Sequence, residues 1–177
     1  MRAKAIHSFL LALATAGGLG NATAQFQPRD VEDPDTPQWV EDNLVLPAFP
    51  QETDLREFYV SEITSHRFFV DAATLDVGQD GVVRFALVVR TSGGAVNITY
   101  EGIRCPTREY RIYATGHKEG IWAKTRRSEW RSIENKPVNR HHAALSRDLF
   151  CPRGVSIRTS EEGREALRLG KHPDIGN

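Results

Sequence analysis

The middle of the chain alternates apolar and polar residues with a period of two, and the linkers between the alternating runs are too short to hold a helix. In Val82 to Arg90, the residues Val83, Phe85, Leu87 and Val89 fall on one face, while Arg84, Ala86 and Arg90 fall on the other. Val96, Ile98 and Tyr100 alternate with Asn97, Thr99 and Glu101 in the run that ends at Arg104. Upstream, residues 57–63 and 66–76 place Phe58, Val60, Ile63, Phe68, Val70 and Leu75 at strand spacing. Gly78-Gln79-Asp80-Gly81 and Ser92-Gly93-Gly94 supply turn chemistry between the runs. A parallel neighbour needs a crossover of a dozen or more residues, so these strands must be antiparallel. Shorter strands are expected at 109–115 and 121–125, and the sheet should have one core face and one wet face.

A helical period enters only afterwards. Asn139 or Arg140 can open a helix through His142, Leu145, Leu149 and Phe150 that stops before Pro152, because the residue preceding proline resists helical geometry. Thr159-Ser160-Glu161-Glu162 forms a capping box before Ala166, Leu167 and Leu169, with Gly170 as the stop. The pattern predicts an α+β fold: an antiparallel β-meander of about five strands with two C-terminal helices packed on one face.

The N-terminus reads as an export signal. Arg2 and Lys4 precede the apolar run Phe9 to Leu19, and Ala22-Thr23-Ala24 offers small residues for cleavage. The run is broken by glycines and is shorter than the roughly 20 residues of a spanning helix. Residues 1–24 are therefore expected to be removed, with delivery to the periplasm and no transmembrane segment in the mature chain. Residues 25–38 are acidic and rich in proline, the composition of a disordered leader. The domain itself should cover 39–170, with 171–177 as a tail. Trp39, Val40, Leu44, Val45 and Leu46 before Pro47 and Pro50 predict an extended strap across that domain rather than a central strand. Residues 25–62 carry ten acidic and two basic side chains, against thirteen and nineteen in 63–177. Separate solvation of the two halves accounts for this, as does an acidic leader shielding a basic body.

Cys105 and Cys151 are the only cysteines. In an exported protein they should form one disulfide. Closing that loop is worth up to about 4 kcal/mol in the chain-entropy model. Neither lies in Cys-x-x-Cys, and no histidine or third cysteine stands at zinc-ligand spacing from them.

Several words recur in order along the chain: Phe69-Val70-Asp71, Leu75-Asp76-Val77-Gly78, Asp80-Gly81-Val82-Val83-Arg84-Phe85, Tyr100-Glu101-Gly102-Ile103-Arg104-Cys105 and Tyr113-Ala114-Thr115-Gly116. Trp130 and Leu149-Phe150-Cys151 follow. With these words, residues 39–152 resemble the CNP1-like family of exported proteobacterial proteins. The resemblance implies export; the family has no agreed activity or cofactor, so no catalytic residue is carried over.

Three groups of residues are candidates for function. The segment from Arg104 to Arg140 interleaves Arg108, Arg111, Lys118, Lys124, Arg126, Arg127, Arg131 and Lys136 with Tyr110, Tyr113, Trp122 and Trp130. Cations beside stacking platforms suit single-stranded nucleic acid. Export argues against that partner and favours an anionic envelope component or an acidic protein surface. The ordinary alternative is a solvated sheet face with Trp122 and Trp130 in the core. His141-His142, near Glu134 and Asp148, is a second candidate. Adjacent helical residues point about 100 degrees apart, so the pair is expected at a helix start in solvent rather than on one metal ion. Third, Glu101 shares a strand face with Ile103 and Cys105. It is a candidate buried acid, whose pKa burial without a partner would raise, or the partner of Arg84 or Arg111 across the sheet.

No nucleophile elbow, phosphate-cradling loop or dinucleotide fingerprint is present in the sequence. No cofactor and no metal is implied. The sequence therefore reads as a non-enzymatic binding or envelope-associated module, with binding residues Arg111, Lys124, Arg126, Arg127, Arg131 and Glu101. The alternative is a small hydrolase acting on cell-envelope material through Glu101 or the histidine pair.

Overall fold

The computed structural model describes residues 38–137 and 140–176. The expected signal, the leader up to Pro37 and a helix start at Asn139 lie outside the described residues. A 3-10 turn, Glu52–Asp54, leads into β1 (Leu55–Phe58), β2 (Arg67–Val77), β3 (Val82–Arg90), β4 (Val96–Arg104) and β5 (Glu109–Gly116). The short strands β6 (Trp122–Lys124) and β7 (Arg131–Ser132) follow. Helix α1 (Arg140–Ala144) then runs into a wider π-helical stretch, Leu145–Phe150, and α2 (Ser160–Leu169) closes the domain.

The strands form one antiparallel sheet in the order β1-β2-β3-β4-β5-β6, and β7 also pairs with β5. This is the expected α+β meander. It has seven strands, rather than about five: β6 falls within the run expected at 121–125, β1 ends at Phe58 instead of continuing to residue 63, and β7 is an additional strand. A run of two residues, such as β7, leaves no readable period. A register shift between Tyr100 and Glu101 sets Tyr100 against Ala114 and Glu101 against Ile112, which leaves Tyr113 as the extra residue of a bulge.

One face of the sheet carries the main core. Phe85, Leu87 and Ile103 from the strands meet Leu145, Leu149, Phe150, Ile157, Ala166 and Leu167 from the helical side. Burying side chains of this size stabilises by about 1.5–3 kcal/mol each. The start of α2 has the expected cap: Thr159 Oγ1 accepts from the Glu162 amide at 3.2 Å, and Glu162 Oε2 accepts from the Arg158 amide at 2.7 Å. Gly170 ends the helix in the left-handed region, at φ 73°. Cys105 and Cys151 are joined, with Cα atoms 5.4 Å apart, tying the end of β4 to the end of the π-helical stretch.

The opposite face corrects an expectation. Alternation puts Arg84 and Ala86 on the expected wet face, yet both are buried. The strap of residues 38–51 lies over them, placing Leu44 and Leu46 against Ala86, Tyr100, Tyr113 and Ala114. Phe49 packs on Trp122, whose Nε1 donates to the Pro47 carbonyl at 3.0 Å. Arg84 stays charged there because Asp80 and Glu41 face it. No helix among the described residues is long and apolar enough to cross a membrane.

Candidate functional site

On the helical face, an open cleft of about 600 Å³ lies between the sheet and the start of α1. Phe68, Leu87, Val89 and Ile112 give it apolar walls, and Glu101, His141 and His142 give it its chemistry. Glu101 Oε2 sits 2.7 Å from His142 Nε2, with the two side chains 2% and 4% exposed. Thr99 Oγ1 donates to the other carboxylate oxygen at 2.6 Å. Burial alone would raise the Glu101 pKa; the His142 ring and the Thr99 hydroxyl outweigh it and hold the carboxyl below its ordinary value. The His142 ring stacks on Tyr110 at 3.8 Å between centroids, and His141 stacks on Phe68 at 5.3 Å. Burial, followed by the charge of His142, pulls His141 down to about 4.

The expected partners of Glu101 were Arg84 and Arg111, and the register shows why neither reaches it. Glu101 pairs with Phe85 on β3 and Ile112 on β5, so it shares their face; Arg84 and Arg111, each one residue away, point to the other side. The condition for a raised pKa, burial without a partner, is not met, because His142 arrives from a helix instead.

The histidines are also not a solvent pair. His142 is 3% exposed, and the two rings stand 4.1 Å apart instead of diverging. Phe68 and Tyr110, stacked on either ring, hold them together. A signal for this was present in the spacing: His142, Leu145 and Leu149 sit at i, i+3 and i+7, so His142 lies on the apolar stripe that packs on the sheet.

Residues 34–168 match the model of the CNP1-like family. The chain belongs to that family. No match to it was found among curated proteins or among solved structures.

Among the basic candidates of this CNP1-like domain, Arg111 stands apart from the exposed ones. Arg111 lies on the strap face, with its guanidinium on Glu41 Oε2 at 2.5 Å and its Nε donating to Ser128 Oγ at 2.8 Å. Its charge is thereby used within the fold. Lys124, Arg126 and Arg127 are exposed at and just beyond the end of β6, and Arg131 is exposed on β7. Trp122 and Trp130 are half-buried under the strap rather than in the main core. Trp130 meets Trp39 edge-on at 5.9 Å between centroids.

Glu41 is the residue that reading the sequence missed. It accepts from Arg111, from the Tyr113 hydroxyl at 2.6 Å and from Trp130 Nε1 at 3.4 Å, and lies 3.8 Å from Arg84. Tyr113 is driven well above its ordinary pKa, first by burial and then by its hydrogen bond to Glu41. Nothing local to Glu41 announces this, since its partners come from β3, from β5 and from the segment before β7.

Proposed function

We propose that this CNP1-like protein is exported to the periplasm and acts there as an envelope-associated binding module, with a small, mainly apolar ligand held in the Glu101–His142 cleft. The observation that carries this reading is a carboxylate and an imidazole, Glu101 and His142, hydrogen-bonded and buried at the wall of an open cleft whose other walls are apolar. Binding sites combine these features: apolar area for affinity and a few placed polar groups for orientation. The exposed Lys124, Arg126, Arg127 and Arg131 lie outside the cleft and offer contact with an anionic envelope component or an acidic protein surface.

The test is native mass spectrometry on protein purified from the periplasm, comparing wild type with Val89→Trp, which narrows the cleft. A bound small molecule present on the wild type and absent from the variant is expected. The same mass on both proteins, or no adduct on either, counts against the cleft; an intact chain starting at Met1 in the cytosol counts against export.

A second reading, a small hydrolase acting on envelope material, is favoured by one observation. His142 Nε2 is held by Glu101 while Nδ1 has no partner among the described residues, an arrangement of a carboxylate orienting an imidazole base. Release of a hydrolysed product from envelope material, lost in Glu101→Gln, would establish it in place of simple binding.

A further inference from the structure

Among the described residues, two non-glycine residues have a left-handed backbone, and both are arginines: Arg108 at φ 52° and Arg153 at φ 56°. Both lie in Cys-Pro turns, Arg108 as the fourth residue of its turn and Arg153 as the third. Cys105-Pro106-Thr107-Arg108 closes with the Arg108 amide donating to the Cys105 carbonyl at 3.1 Å, and Cys151-Pro152-Arg153-Gly154 closes with the Gly154 amide donating to the Cys151 carbonyl at 2.9 Å. The disulfide joins the first residues of the two turns, so they stand side by side. Both arginines line one cavity of about 440 Å³ beside the half-cystines.

Turns of this shape take glycine or asparagine without strain. An arginine held there at both places works against local preference, and strain of that kind collects at ligand sites. The charges point the same way. Arg147, also on the cavity wall, is neutralised by Asp148 with Nη2 to Oδ2 at 2.5 Å. Arg108 and Arg153 have no side-chain partner among the described residues, no acidic side chain lines the cavity, and Ser146 adds a hydroxyl to its wall. The cavity therefore carries two uncompensated, fork-shaped donors on a cross-linked frame.

We infer that this cavity binds the phosphate group of a phosphate monoester between the guanidinium groups of Arg108 and Arg153. A phosphate monoester carries about −1.5 to −2 charge near neutral pH, matching two arginines where a carboxylate matches one. Planar guanidinium forks suit its oxygens in bidentate geometry. The disulfide contributes by fixing the spacing of the two turns before ligand arrives.

The experiment is a titration of the disulfide-bonded protein with inorganic phosphate, following the backbone amide resonances around Arg108 and Arg153. Saturable shifts at both turns are expected. In Arg108→Gly/Arg153→Gly, the shifts should vanish while the melting temperature stays level or rises, because glycine adopts this backbone freely. Arg108→Lys/Arg153→Lys keeps the charge without the fork and should bind about tenfold more weakly. Sedimentation with phosphatidylcholine vesicles containing phosphatidic acid separates the sources: binding to them that requires both arginines marks a lipid headgroup, and saturation by inorganic phosphate without vesicle binding marks a soluble ester. The inference fails if wild type shows no saturable shift, if the double glycine variant binds phosphate as wild type does, or if that variant loses stability, which would make the arginines structural.

Discussion

Glu101 on β4 and His142 on α1 meet at 2.7 Å across 41 residues of chain, and the contact lies beneath the start of the helix. Taking a carboxylate and an imidazole out of water costs nearly what their hydrogen bond returns, so such a pair stabilises little as a whole, yet removing one side leaves the other buried and unsatisfied. Glu101→Leu alone should therefore cost about 1–3 kcal/mol, whereas Glu101→Leu/His142→Phe should recover most of that loss. Urea unfolding of the single and double variants measures it, and additive losses would contradict the pairing.

Acid should weaken the domain before its ordinary carboxylates titrate. His141 is held at about 4, below the 6.5 of a free histidine, so the unfolded chain binds a proton that the folded one refuses between those values. Stability then falls as pH drops through that window, by about 2 kcal/mol between pH 6.5 and 5. Glu101, whose folded pKa is depressed, adds a second loss below its ordinary 4.5. Unfolding midpoints at pH 7 and pH 5 should converge in His141→Phe; an unchanged pH slope in that variant refutes the assignment.

The strap should respond to a single residue. Glu41→Ala leaves Arg111 and the Tyr113 hydroxyl without their carboxylate, and partly buried polar groups left unpaired cost about 1–3 kcal/mol. Trp39, Trp122 and Trp130 all contact the strap or belong to it, so their fluorescence should shift to longer wavelength at a denaturant concentration where the disulfide-linked core stays folded. Strap and core melting together in this variant would show that the strap is not a separable layer.

Gly163 in the second turn of α2 opposes two effects of similar kind. Alanine there gains about 1 kcal/mol of helix propensity. Its Cβ would fall 2.6 Å from Leu75 Cδ2 and 2.7 Å from Ile157 Cδ1, and overpacking a core costs about 1–3 kcal/mol. Gly163→Ala is expected to lower the melting temperature. A rise would mean that Leu75 and Ile157 give way easily.

The long strands, the capped α2 and the cross-link between Cys105 and Cys151 were legible because each depends on near neighbours or on a pair with no competitor. The site was only half legible. Glu101 stands out as an acid on an apolar face, and the same alternation puts the arginines of the adjacent strands, Arg84 and Arg111, on the far side, so its partner has to come from outside the sheet. A histidine pair at a helix start suggests solvent, whereas the spacing of His142 to Leu145 and Leu149 marks a buried stripe. The bulge at Tyr113 left no trace in the pattern, since one extra residue changes the facing of a strand without changing its composition.

By itself the sequence determined where the long strands and α2 lie, that the strands run antiparallel, and which two cysteines are available to join. Those properties follow from side-chain periodicity and linker length, which are local. Tertiary structure alone decided that the second sheet face is roofed by the strap, that Glu41 gathers Arg84, Arg111, Tyr113 and Trp130, and that Glu101 meets His142 at a cleft. Each of these depends on which faces come together in space, and a charge chooses its partner by distance and burial rather than by order along the chain.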